Sequence, residues 1–158
     1  MSDRSDFWKK INKFRTCMVT SEDGDKLHSR PMAPHIDEDA GKIRFLTEAG
    51  SPKTREIRED HDVNLAFADE GSMLFISVAG RASISKDRAV IKELWNSYAD
   101  AWFDGDAETA NVEVITVVPE EAQFWDRSGS TLVQLYELAK SKLTDSKPNM
   151  GDNRKLAL

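Results

Sequence analysis

TCMVTSEDGDKLHSRPMAPH, residues 16–35, is the stretch on which the fold turns. The apolar and β-branched run 16–21 ends in Glu22-Asp23-Gly24-Asp25, and the chain then returns through residues 26–35. A short run of this kind, bounded by Gly and Asp, reads as two strands joined by a tight turn. Strands joined so closely pair antiparallel. Pro31 and Pro34 interrupt the return strand. Proline has no N–H for a ladder, so this strand belongs at a sheet edge or a bulge.

The same grammar continues outward. Asp39-Ala40-Gly41 is a turn and 43–47 a compact strand. Ser51-Pro52 starts a helix, with a hydroxyl at the N-cap and proline at the first helical position. That helix runs to about Glu59, exposing Lys53, Arg55, Glu56, Arg58 and Glu59 and burying Ile57. Strands follow at 63–68 and 73–85, the second holding Gly80, a sign of a bulge or a close backbone approach. Asp87 caps a helix to about Tyr98 with Val90, Ile91, Leu94 and Trp95 on one face. Trp102-Phe103-Asp104-Gly105-Asp106 is a loop with an aromatic anchor. Residues 112–118 form a strand that Pro119 breaks, and 122–125 resume it.

At the ends, 5–15 is an amphipathic helix carrying Phe7, Trp8, Ile11 and Phe14. Ser130 caps a last helix to about Leu143, with Leu132, Leu135, Tyr136 and Ala139 along it. The tail 144–158 is expected to be mobile or packed on a partner subunit. The pattern predicts a mainly β chain with flanking helices: about six antiparallel strands closing as a small barrel, in one domain over residues 1–143.

Composition removes whole classes of function. The 158 residues carry 22 Lys+Arg against 28 Asp+Glu, a net charge of −6. Such a chain has no overall attraction for nucleic acid or anionic membranes. No run approaches the ~18 apolar residues of a membrane span. The N-terminal MSDRSDFWKK lacks the apolar core of a secretory signal, so a cytoplasmic location is expected. The one cysteine, Cys17, cannot close an internal disulfide or build a Cys-rich zinc site; within an apolar strand pattern it reads as core. His28, His35 and His61 lack metalloprotease spacing, and no metal is expected. Asp23, Asp25, Asp37, Glu38 and Asp39 cluster at turns and read as solvated loop residues. There is no Walker loop, no GxGxxG and no serine triad.

Chemistry is concentrated in residues 45–53. Thr47, Ser51, Lys53 and the amides of a helix start fall close together, a set that can hold a phosphate dianion. A plain capped helix with a solvated lysine is the other reading. Further pieces recur in order: His28-Ser29-Arg30-Pro31-Met32, Phe45-Leu46-Thr47, Ser51-Pro52-Lys53, Phe75-Ile76-Ser77-Val78-Ala79-Gly80, Asp87-Arg88, Trp102-Phe103 with Gly105, and Gln123-Phe124-Trp125-Asp126. This ordered set, spanning roughly residues 7–143, resembles the pyridoxamine 5'-phosphate oxidase-like superfamily in its general stress protein 26-like branch.

The resemblance implies a split β-barrel homodimer with two FMN molecules in clefts between the subunits. It sets Arg30, Pro31, Met32 and Ala33 along the isoalloxazine ring. Leu46 and Thr47 would give backbone and hydroxyl contacts. Ser51 and Lys53 would grip the phosphate, with help from Arg30. Phe75 and Trp125 match positions that reach the flavin from the second subunit. The activity implied is FMN-dependent oxidation or reduction of a small molecule. Two alternatives stand beside it: a non-catalytic flavin-binding or stress-response protein, and a binder of deazaflavin F420 or haem on the same fold.

The chain also departs from the oxidase. The oxidase has an arginine where this chain has Pro52, although Arg55 stands close enough to compensate. The segment Trp125-Asp126-Arg127-Ser128-Gly129-Ser130 lacks the oxidase's Arg-Leu-His-Asp-Arg run, and Phe75 replaces a polar side chain. Oxidation of pyridoxamine phosphate itself is therefore not expected. Trp95 and Trp102 read as packing residues. His35 reads as a solvent-satisfied edge histidine, with a proton donor as the other reading. No residue is assigned as general acid or base.

Overall fold

In the computed structural model, which describes residues 3–127, 138–140, 142–143 and 152–158, the hairpin at 16–35 forms as β1 (Cys17–Asp23) and β2 (Lys26–Met32). They pair antiparallel from Cys17↔Met32 to Asp23↔Lys26, and Gly24 takes the turn at φ 63°. The return strand does not continue to His35. Ala33-Pro34 breaks it, and β3 (His35–Asp37) crosses to pair with β4 (Lys42–Glu48). Around these lie α1 (Asp3–Ile11), α2 (Pro52–Glu59), β5 (Asp62–Asp69), β6 (Leu74–Ser85), α3 (Arg88–Leu94), α4 (Ser97–Trp102), β7 (Val112–Asp126) and β8 (Asp152–Ala157).

The sheet order is β2-β1-β5-β6-β7-β4-β3, with β8 also on β7, and the pairs are antiparallel throughout. A mainly antiparallel sheet with flanking helices is thus present. Eight described strands replace the expected six or so. The sheet does not close by hydrogen bonds, since β2 and β3 end its path. The reason is local: the Pro34 break sends one half of the return strand to each edge.

Val19, Phe45, Leu65, Val78, Ile115 and Phe124 line one face of the sheet. Phe7, Trp8 and Ile11 of α1 pack into the same core. Each fully buried side chain of this size contributes roughly 1.5–3 kcal/mol. A second cluster joins Ile91 and Leu94 of α3 to Val112 and Val114 of β7.

Pro119 does not break β7. The register jumps from Ala79↔Glu121 to Gly80↔Pro119, which leaves Glu120 as the extra residue of a bulge. Proline is tolerated there because the ladder is already irregular. Gly80 is required from the other side. A Cβ on it would stand 2.8 Å from the Val118 carbonyl oxygen and 2.9 Å from Val117 Cγ1. Gly80→Ala is expected to destabilise the fold by about 1–3 kcal/mol, the usual cost of overpacking. A urea midpoint equal to wild type would refute this.

Two further expectations change. The helix read over 87–98 is two helices. Trp95 turns extended, and Asn96 caps α4 by accepting a hydrogen bond from the Ala99 amide. At the C-terminus, residues 152–157 are not a tail but β8, in register with β7 from Asp126↔Asp152 to Glu121↔Ala157. Leu156 and Leu158 pack on the main core, and Arg154 donates to Asp3 and Asp6 of α1. Residues 138–140 and 142–143 are helical, as expected. The rest of that final helix, with Leu132, Leu135 and Tyr136, lies outside the described residues.

Candidate functional site

Between β4 and α2, the chain reverses through Gly50 at φ 71°, and a buried carboxylate holds that turn. The Gly50 amide donates to Glu113 Oε1 at 2.8 Å, and Arg58 from the far end of α2 donates to Oε2. Glu113 is 1% exposed. It ties both ends of the 50–58 segment to β7 and fixes where α2 begins. Sequence reading passed over it. Its signal was a single carboxylate inside the aliphatic run 112–118, which must be paired if buried.

Ser51 occupies the N-cap position, but its hydroxyl makes no capping bond. Its carbonyl oxygen instead accepts from the Thr54 and Arg55 amides and from Thr54 Oγ1. Among the described residues Ser51 Oγ is buried without a hydrogen-bond partner. An unsatisfied buried hydroxyl costs about 1–3 kcal/mol, a cost that a ligand acceptor would remove. The expected hydroxyl cap is therefore corrected.

Lys53, two residues on, is half-buried. Burial holds its ammonium below the ordinary lysine range; the Arg30 charge adds to this, while Glu48 and Glu56 oppose it. Among the described residues it forms no salt bridge. Arg30 approaches from β2 and is firmly held. It donates to Ser21 Oγ at 2.6 Å, to Glu56 Oε2 at 2.9 Å and to the Val19 carbonyl at 3.3 Å.

Glu56 was expected on the exposed side of α2, yet it is only 3% exposed. It neighbours Ile57 and follows Lys53 by three residues, a spacing that turns it toward the sheet. Ser21 Oγ donates to its Oε2, and His28 Nδ1 lies 3.0 Å from its Oε1. Burial pushes the Glu56 carboxyl up, but the hydrogen bonds from Ser21, His28 and Arg30, with the Arg30 charge, outweigh it and hold the group below its ordinary range. Asp23, His28 and Glu56 bring ligand-type atoms within 4.8 Å of one another. The Glu56 oxygens there already serve Ser21, Arg30 and His28, so hydrogen bonding accounts for the cluster.

The other expected residues divide into two groups. Thr47 is buried opposite Glu113 on β4, and Leu46 points to the α3 cluster. Met32 is buried at the end of β2, while Pro31 and Ala33 are exposed. These residues lie with Arg30, Ser51 and Lys53 on the strands and loop around α2. Phe75 and Trp125 do not. They face each other across β6 and β7, half-buried, about a dozen residues along β7 from Glu113. That is roughly 40 Å of strand at ~3.3 Å per residue.

The remaining candidates have structural partners. Trp95 packs 6.1 Å from Phe103 and donates to Asp100, and Trp102 stacks on Tyr98 while 67% exposed. Arg55 is exposed on α2. Burial holds the His35 imidazole below its ordinary range, so it is neutral near pH 7. Cys17 is buried, its thiol pushed up to about 12 by that burial, so it packs and does not react.

A sequence profile described as pyridoxamine 5'-phosphate oxidase like matches residues 2–149. General stress protein 26 of Bacillus subtilis is 28% identical over 113 residues, covering 70% of this chain and 79% of the relative. Among solved structures, a general stress protein 26 homologue from Jannaschia sp. CCS1 is 29% identical, with a TM-score of 0.79 and full coverage of both chains. The general stress FMN/FAD binding protein of Xanthomonas citri is 29% identical with a TM-score of 0.71, covering 80% of this chain and 90% of its own.

Proposed function

Because this chain belongs to the pyridoxamine 5'-phosphate oxidase-like family, we propose that it binds FMN in a cleft completed by a second copy of itself. There it would act as an oxidoreductase on a small molecule. One observation carries the reading: among the described residues, a half-buried lysine without a salt-bridge partner follows, two positions on, a buried serine hydroxyl without a hydrogen-bond partner at a helix start. A phosphate dianion answers both, accepting from Ser51 Oγ and Lys53 Nζ while the helix amides add their dipole. The Xanthomonas citri relative's description as an FMN/FAD binding protein points to the same ligand class.

Lys53 and Ser51 then bind the phosphate, while Met32 offers apolar surface to the ring. Arg30, planar and permanently charged, would serve the ring as a donor. When bound, FMN supplies reversible two-electron transfer, and the pocket orients the substrate. Trp125 and Phe75 come from the second copy, since within one chain they lie far along β7 from α2.

No helix among the described residues is long and apolar enough to cross a membrane. A cytoplasmic location goes with the single reduced cysteine. Non-catalytic flavin binding is the second reading: among the described residues the titratable groups beside Arg30, Glu56 and His28, are engaged with each other. Turnover assays with NADH or NADPH and common acceptors separate the two, and mass spectrometry of the extracted ligand distinguishes FMN from F420 or haem.

The Lys53 shift gives this reading a pH signature. The free chain loses the Lys53 proton below the ordinary lysine range, whereas a bound dianion favours the protonated form. FMN affinity is therefore expected to fall as pH rises through the Lys53 transition. In Lys53→Arg the plateau should extend to higher pH. A wild-type affinity that stays flat into the alkaline range would count against Lys53 as the phosphate ligand.

A further inference from the structure

The resemblance set Arg30 along the flavin ring, with help to the phosphate; the structure gives it an unexpected partner, Glu56. Its guanidinium is fixed by Ser21, Val19 and Glu56, leaving Nε and one remaining Nη2 hydrogen for a ligand. Glu56 is the hub. It joins α2 to both strands of the β1–β2 hairpin through Ser21, His28 and Arg30, and it is almost fully buried. A carboxylate 2.9 Å from a guanidinium offsets most of its charge. Lys53 and Arg55 are then the cations of α2 without a salt-bridge partner among the described residues, and of the two only Lys53 is half-buried.

Building on the FMN reading above, we propose that Glu56 is a positioning residue that clamps Arg30 beside the flavin and offsets its charge. It thereby lowers the preference of the cleft for reduced, anionic flavin. Arg30 becomes a fixed hydrogen-bond donor, and the phosphate depends on Lys53. The net charge around the ring is set by a residue that does not touch it.

Two measurements on Glu56→Gln test this. The first needs no flavin: the ligand-free protein is treated with phenylglyoxal, and labelling is read residue by residue through peptide mass spectrometry. Arg30 should react several-fold faster in Glu56→Gln than in wild type, with exposed Arg55 and Arg81 unchanged. Equal Arg30 rates would overturn the clamp. The second measurement is the midpoint potential of bound FMN. Removing the Glu56 charge should favour reduced over oxidised flavin about tenfold, a positive shift of ~30 mV for a two-electron couple. Glu56→Asp, which keeps the charge, should return toward the wild-type potential. An unchanged or negative shift in Glu56→Gln would overturn the electrostatic role.

Ser21→Ala guards against a folding defect. It removes one bond from Arg30 and one from Glu56 but no charge, so Arg30 labelling should rise modestly while the potential stays put. A potential shift as large as that of Glu56→Gln would mean that packing, not charge, is responsible. If wild-type protein binds no FMN, the functional reading above fails, and the labelling comparison alone decides whether Glu56 clamps Arg30.

Discussion

Lys53→Ala is expected to weaken FMN binding roughly ten- to 150-fold, about 1.5–3 kcal/mol, the worth of a hydrogen bond to a charged group. The effect is large because the site has few substitutes. Pro52 has no charge, and Arg30 is committed to Glu56. Lys53 is half-buried and lacks a salt bridge among the described residues, so its charge is less screened than that of a surface lysine. Arg55 supplies the control: it is exposed, and Arg55→Ala is expected to change affinity less than about threefold. Titration of the two variants side by side checks the argument. Equal losses would mean that general charge, not the α2 start, attracts the cofactor.

Phe124→Ala is expected to cost about 3–5 kcal/mol of stability, the usual price of emptying a buried phenylalanine site. Phe124 is 0% exposed on β7, between β6 and β8. Its ring also lies under Arg154 at 4.6 Å and Lys10 at 5.7 Å. Through these cations it meets both the N-terminal helix and the C-terminal strand, and Arg154 links them again through Asp3 and Asp6. Urea unfolding followed by circular dichroism measures the loss, which should be a large share of a domain's typical ~5–15 kcal/mol. Arg154→Ala removes the cation but leaves the ring, and should cost about 1 kcal/mol. If the two variants unfolded at one midpoint, Phe124 would not be a core residue of the kind described.

Much of the sheet was legible because its signals are local. The Gly24 turn, the Gly80 bulge and the α2 start are each written in residues with unusual backbone demands. Where the reading failed, tertiary context decided. Pro119 looked like a stop, but the bulge opposite Gly80 gives it a place without a ladder N–H. Residues 152–157 looked like a tail because a polar strand that covers an edge has no apolar alternation of its own. Asn96 is a capping residue that an apolar helical face concealed.

The site was legible in part. Lys53, Ser51 and Arg30 stood out because a cation, a hydroxyl and a helix start were close in sequence. Glu56 and Glu113 did not, since carboxylates on a charged helix and in a strand usually face water. Their partners, Arg30 and Gly50, come from 26 and 63 residues away. Such pairings are invisible to any local pattern.

The central claim is best tested by titrating the purified chain with FMN, monitored by absorbance and by its elution volume before and after saturation. The account predicts a yellow complex of one FMN per chain, with perturbed flavin bands, eluting as a dimer. A chain that elutes as a monomer and leaves the spectrum of added FMN unchanged at saturating concentration would contradict it.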